Sequence, residues 1–188
     1  MLINIEKTSI RDVWIIKPER FQDDRGFFTE LYRKDQFTEL GIPGEFVQWN
    51  HSGSVQGVTR GLHFQWEPPM GKLMRVVRGD VLLVAVDIRK GSPTLGKHVA
   101  VRASSENHLA VLAPAGCARG FSVMSDYAEI MYLCSGCYNS KAESGILWND
   151  PAIGIEWPVK DPILSNKDKN AQTLAEWLRR PEAEFFKY

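Results

Sequence analysis

Leu73-Met74-Arg75-Val76-Val77-Arg78-Gly79-Asp80-Val81-Leu82-Leu83-Val84-Ala85-Val86-Asp87-Ile88 holds two β-type runs, 73–77 and 81–88, with an Arg-Gly-Asp turn between them. The apolar run 81–86 is of strand length and stops at Asp87, well short of a membrane span. Outward from it, short runs of the same kind recur at 13–16, 27–32, 58–64, 97–103, 109–112, 121–124 and 128–134. Turn chemistry punctuates them at Arg25-Gly26, Lys90-Gly91-Ser92-Pro93 and Pro114-Ala115-Gly116. Many short strands at this spacing predict an all-β sandwich or barrel, with the jelly roll as one closed solution. Two segments read as helices. The first, 34–40, is polar and is followed by the stop signal Gly41. The second, 170–180, carries Leu174, Trp177 and Leu178 at helical spacing and ends at Pro181. With no internal repeat and no low-complexity linker, the 188 residues are expected to form a single domain, 1–188, large enough for one sizeable core.

Lys+Arg and Asp+Glu number 23 each, so the formal net charge is zero. That argues against a general nucleic-acid binder, which needs a basic surplus, while leaving room for a small anionic ligand. The start, Met1-Leu2-Ile3-Asn4-Ile5-Glu6-Lys7, lacks the basic-then-apolar layout of a signal peptide, so a cytoplasmic location is expected. Three cysteines do not make a disulfide framework. Cys134-x-x-Cys137 has redox or zinc spacing, but no second pair completes a tetrahedral site; buried or partly buried free thiols are expected. Asn50-His51-Ser52 matches the glycosylation pattern, a coincidence in a chain read as non-secreted.

The histidines are His51, His63, His98 and His108. A metal-binding jelly roll usually offers His-x-His and a further His at the other end of the barrel. Here Gln65 follows His63 at that spacing, and Arg119 stands at the later place, where its charge would repel a divalent cation. A metal-free site for proton chemistry is expected instead. In Gly57-Val58-Thr59-Arg60-Gly61-Leu62-His63-Phe64-Gln65, strict alternation puts Arg60 and His63 on opposite faces. A bulge at Gly61 would re-aim one of them. Alone, His63 reads more simply as a hydrogen-bonded core histidine; Arg60 nearby and Lys72 soon after weaken that reading.

At this point the chain resembles the dTDP-4-dehydrorhamnose 3,5-epimerase family, whose motifs run in order along nearly the whole sequence. They are Asp23-Asp24-Arg25-Gly26-Phe27-Phe28-Thr29-Glu30, Phe46-Val47-Gln48-Trp49-Asn50-His51-Ser52, Arg60-Gly61-Leu62-His63-Phe64-Gln65 and Pro68-Pro69-Met70-Gly71-Lys72-Leu73. Val86-Asp87-Ile88-Arg89, Gly91-Ser92-Pro93-Thr94 and Pro114-Ala115-Gly116-Cys117-Ala118-Arg119-Gly120-Phe121 follow, then Trp148-Asn149-Asp150-Pro151 and Leu164-Ser165-Asn166-Lys167-Asp168. The resemblance implies a cupin, that is a double-stranded β-helix jelly roll with a few short peripheral helices. It implies a homodimer without metal or cofactor, acting on a dTDP-linked 6-deoxy-4-keto hexose. By position it makes His63 the general base, Asp168 the acid that orients it, Lys72 the cation beside the C4 oxygen and Tyr132 the proton donor, with Tyr138 lining the same site. Arg25, Glu30, Gln48, Asn50 and Arg60 match positions that bind nucleotide, pyrophosphate or sugar.

Elementary chemistry supports these roles. A hydrogen beside a ketone needs a base to remove it and a positive group to hold the enolate oxygen. Histidine can take and return a proton near neutral pH, and a carboxylate on its other nitrogen fixes its tautomer. Inversion needs a proton from the opposite ring face, which a neutral tyrosine hydroxyl can give; Tyr138 rivals Tyr132 for that part. Arginine forks suit a diphosphate, for which Arg25 and Arg60 qualify, although each could equally form a surface or interface ion pair. Phe28 or Tyr138 could stack on the base or simply pack. Arg119 stands where the family pattern usually reads His. A bulkier, always-charged side chain there bears on the sugar, the nucleotide or the number of inverted centres, or else adds a phosphate contact. A mono-epimerase, a relative acting on another nucleotide sugar, and a non-catalytic sugar-nucleotide binding module are the alternatives.

Overall fold

The computed structural model describes residues 3–42 and 45–188. In chain order the elements are β1 (Ile3–Lys7), β2 (Trp14–Pro18), β3 (Arg20–Asp23), β4 (Gly26–Thr29), α1 (Lys34–Glu39), β5 (Gln48–Val55), β6 (Thr59–Gln65) and β7 (Lys72–Arg78). Then come β8 (Asp80–Asp87), β9 (His98–Ser104), β10 (Ala110–Ala113), β11 (Cys117–Val123), β12 (Tyr127–Cys134), β13 (Glu143–Gly145), α2 (Asn166–Lys169), α3 (Leu174–Arg179) and a 3-10 turn, Pro181–Phe186. A six-stranded sheet, β1-β2-β10-β7-β12-β5, faces a five-stranded sheet, β13-β6-β11-β8-β9; β3 and β4 form a hairpin apart from both. All strand pairings are antiparallel, and the result is the jelly roll expected, with short helices outside it.

The 73–88 stretch carries the chain from one sheet to the other, since β7 and β8 belong to different sheets. Gly79 makes that turn at φ +80, and a Cβ there would collide with the Tyr127 carbonyl and the Ser125 hydroxyl. Alternation then sorts β8. Val81, Leu83 and Ala85 point between the sheets against Met74, Val76, Val111, Ile130 and Phe121. Val84 and Val86 point outward, where Leu174, Trp177 and Phe186 cover them. The C-terminal segment thus explains why a run of apolar residues, rather than an alternating one, marks this strand. Each fully buried Val or Leu side chain contributes roughly 1.5–3 kcal/mol.

The other expectations are met unevenly. The helix expected over 170–180 begins only at Leu174. Thr173 caps it: its hydroxyl accepts from the Glu176 N–H (3.2 Å), while the Glu176 carboxylate accepts from the Thr173 N–H (2.7 Å). Gln172 is held out of the helix by a bridge to Ile146. The strand expected over 27–32 stops at Thr29, and that expected over 121–124 begins four residues earlier, at Cys117. Asp87 belongs to a buried knot, accepting from Arg89 Nε (2.9 Å), Ser92 Oγ (2.6 Å) and Thr94 Oγ1 (2.6 Å). The motifs around Asp87 and Ser92 therefore hold a turn together rather than line a site. Among the described residues no helix is long and apolar enough to cross a membrane.

Candidate active site

Strand β6 carries Arg60 and His63. Arg60 pairs with Phe121 and His63 with Arg119, so Gly61 and Leu62 together oppose the single residue Gly120. This is a bulge, and it sets Arg60 and His63 on the same inner face despite their spacing. Glycine is required there. Gly61 has φ +121, and a Cβ would lie 2.6 Å from the Gly120 Cα and 2.7 Å from the Arg119 carbonyl oxygen.

Behind His63 stands α2. Ser165 caps this short helix, its hydroxyl accepting from the Asp168 N–H (3.1 Å) and donating to Asp168 Oδ2 (2.8 Å). Asp168 is only 3% exposed, and its Oδ1 accepts from His63 Nε2 at 2.5 Å. Burial pushes the Asp168 carboxyl up, but hydrogen bonds from His63, Ser165 and the Gly61 backbone outweigh it and hold the group below its ordinary range. It stays a carboxylate, fixes the imidazole and leaves Nδ1 as the free ring nitrogen.

The six-stranded sheet supplies the opposite wall. Register pairs Asn50 with Tyr132, and Tyr132 with Met74, so alternation brings Gln48, Asn50, Tyr132 and Lys72 to its inner face. The Lys72 ammonium lies over the Tyr132 ring, 4.8 Å from its centroid. Burial, reinforced by Arg119, pushes the Lys72 pKa down to about 8. Burial pushes the Tyr132 hydroxyl up against an opposing Asn50 hydrogen bond, so it remains a neutral proton donor. Arg119 is 3% exposed; burial lowers its pKa to about 10, leaving it a cation, and its Nη2 donates to the Met70 carbonyl.

Arg60, His63, Lys72, Arg119 and Tyr132 line one cavity of about 140 Å³ between the sheets. A recess beside it is bounded by His63, Lys72, Arg119, Tyr138 and Glu143. The main cavity has room for a single ring and opens to solvent at a mouth. Exposed Arg60 stands at that mouth, donating to the Ser54 hydroxyl (3.1 Å). Gln48 accepts from the Tyr138 N–H (2.8 Å) and donates to Asn50 Oδ1 (3.0 Å). Tyr138, 59% exposed, donates its hydroxyl to Glu143 (3.0 Å), so it sits at the rim while Tyr132 sits inside.

Arg25, Phe28 and Glu30 are not brought to this cavity. Arg25 and Phe28 belong to the β3–β4 hairpin and its turn, where Arg25 Nε donates to Asp23 (3.1 Å) and Phe28 is 63% exposed. Glu30 follows β4 and faces Arg33 at 3.8 Å. Sequence reasoning missed Glu143, Lys167 and Ser165. Lys167 donates to Glu143 (2.6 Å) at the rim; Lys167 lies inside the 164–168 motif, but nothing there points to this pairing and nothing in the local sequence marks Glu143. Ser165 did carry a signal, because Ser-x-x-Asp is a capping pattern. Cys117 and Cys134 are buried as expected, whereas Cys137 is exposed. Among the described residues, no three His, Cys, Asp or Glu side chains gather as a metal would require.

Comparison with known proteins identifies relatives along nearly the whole chain. A family model described as dTDP-4-dehydrorhamnose 3,5-epimerase matches residues 7–176. The dTDP-4-dehydrorhamnose 3,5-epimerase of Shigella flexneri is 51% identical over 176 residues, 93% of this chain and 97% of that one. A dTDP-4-dehydrorhamnose 3-epimerase of Streptomyces niveus is 41% identical, over 93% of this chain and 85% of that one. Among solved structures, the Legionella pneumophila 3,5-epimerase in complex with dTDP-4-keto-L-rhamnose superposes with a TM-score of 0.93 at 42% identity, covering 100% of this chain and 99% of that one. The chain belongs to the dTDP-4-dehydrorhamnose 3,5-epimerase family.

Proposed function

We propose that this chain epimerises dTDP-4-dehydro-6-deoxy-D-glucose at C3 and C5, giving dTDP-4-dehydro-L-rhamnose. The observation that carries the reading is His63, backed by Asp168, facing Lys72 and Tyr132 across one ring-sized cavity. His63 Nδ1 takes the hydrogen from the carbon beside the ketone, and the C–H electron pair moves into an enolate at the C4 oxygen. Lys72 stabilises that oxygen. The enolate carbon then receives a proton from the Tyr132 hydroxyl on the opposite face. The phenolate recovers a proton from solvent and the imidazolium releases one, so no net charge is gained or lost. A relative that inverts C3 alone shows that the same scaffold can serve one centre, so the position of exchange must be read directly.

The test is incubation with the 4-keto sugar nucleotide in deuterated water, followed by NMR. Label should enter C3 and C5. His63→Asn should slow exchange by about 10²–10⁴-fold while leaving binding of thymidine diphosphate within a few-fold. Label at C3 alone would make the chain a mono-epimerase; label at neither carbon would sink the reading.

Two further features support the working state. Cys137 is exposed and unpaired, which fits a reducing compartment, the cytoplasm. Arg25 and Phe28 stand on a hairpin apart from both sheets and do not line this chain's cavity, which fits a homodimer in which the hairpin serves the neighbouring protomer.

A further inference from the structure

Arg119 is buried between the sheets, and among the described residues no carboxylate pairs with it. Only Nη2 is satisfied, by the Met70 carbonyl; Nε and Nη1 are buried and make no hydrogen bond. The nearby titratable groups that favour its charge are the thiols of Cys117 and Cys134, and burial keeps both thiols protonated. A buried cation with two unsatisfied donors, beside a second cation at Lys72, is costly unless a negative charge comes close to it. The cavity they line also holds the His63 base, so the anion that fits is one formed there during the reaction.

We propose that Arg119 is a catalytic residue of this chain: its guanidinium acts with the Lys72 ammonium to hold the C4 enolate oxygen, making a two-cation oxyanion site. The proposal rests on the epimerase reading above. A delocalised guanidinium charge in a low-dielectric cavity stabilises a developing oxyanion beside the ammonium. No bond forms to Arg119; it holds charge while His63 and Tyr132 move protons.

The experiment is steady-state kinetics of Arg119→Gln, Arg119→His and Arg119→Lys against pH, with thymidine diphosphate binding measured beside it. Lys72 is faced by Arg119 of β11, Cys134 and Tyr132 of β12, Glu143 of β13, Lys167 of α2 and His63 of β6. Glu143 is engaged by Lys167 and Tyr138, so Arg119 is the strongest charge acting on Lys72. Arg119→Gln should lower kcat by about 10²-fold with KM changed only a few-fold. Its alkaline limb should move upward, because a like charge has left Lys72, and should fall toward zero. In the parent enzyme the limb should level off, since Arg119 keeps its charge after Lys72 loses its own. Arg119→Lys should recover part of kcat. If Arg119→Gln does not fold, Arg119→His gives the same reading, since an ordinary imidazole with a pKa of about 6.5 is neutral on that limb.

An unchanged kcat, or a loss confined to KM and thymidine diphosphate binding, overturns the proposal and makes Arg119 a binding group. So does an unmoved alkaline limb. If the parent enzyme exchanges label at neither carbon, the epimerase reading and this proposal fail together; exchange by the parent with Arg119→Gln unaffected removes this proposal alone.

Discussion

Lys72 is held in the cavity against its own solvation. Its pKa of about 8, against an ordinary 10.5, means that folding disfavours its charged form. Below about 8 both the folded and unfolded chains carry the proton, and the full cost falls on the folded state. Between 8 and 10.5 the unfolded chain binds more protons, so stability rises with pH until the cost is gone. Lys72→Met should therefore raise the melting temperature near neutral pH by roughly 4–10 °C, and the gain should shrink as pH climbs. Turnover should fall by about 10²–10³-fold in the same variant. Thermal melts across that pH range check the first half and deuterium exchange the second; a variant that is less stable at neutral pH would remove the argument. Lys72, His63 and Asp168 were legible in the sequence because titratable side chains interrupt apolar runs or recur in ordered motifs. Glu143 and Lys167 were not, because their pairing depends on how a loop and a four-residue helix come together.

The bulge in β6 decides whether those residues form a site at all. Without it, Arg60 and His63 would point to opposite faces, one of them into the packing around Trp177. The sequence showed where the irregularity lies, because a glycine between two polar residues in an apolar strand has few other uses. Gly61→Ala should be costly for two independent reasons: a positive φ, and backbone atoms within 2.7 Å of the new methyl group. We expect a loss of roughly 2–4 kcal/mol, read as a lower denaturation midpoint with an unchanged slope. The folded fraction should also turn over slowly, since relieving the clash must shift β6 against β11. Full activity per folded molecule would show that the register does not matter. Other elements were hidden for a physical reason. Strand β5 alternates Gln48, Asn50 and Ser52 inward with Trp49 and His51 outward, so its polar face is the buried one and the usual pattern is inverted. Strand β1 lies at the sheet edge with little buried surface, and β3–β4 packs on neither sheet.

At the scale of the whole molecule, the apolar surface is unevenly covered. A cavity of about 340 Å³ on the outer face of the six-stranded sheet is lined by Ile16, Leu31, Trp49, Leu73, Met131 and Leu133. Trp49 there is 66% exposed, and β5 leaves one edge of the same sheet unpaired. A second copy of the chain seated on this face would cover both, and would carry a β3–β4 hairpin with Arg25 and exposed Phe28 toward its neighbour. If Arg25 serves the neighbour's cavity, two crippled variants should repair each other. Arg25→Ala retains His63 but supplies no arginine to its partner; His63→Asn retains Arg25 but has no base. In a mixed dimer, one cavity combines its own His63 with the other protomer's Arg25. Co-refolded variants at equal amounts should form half of their dimers as mixed pairs, each with one complete site, and so recover about a quarter of the parent activity if pairing is random and sites are independent. If Arg25 acts within its own chain, every cavity in the mixture lacks one group and activity stays at the level of the separate variants.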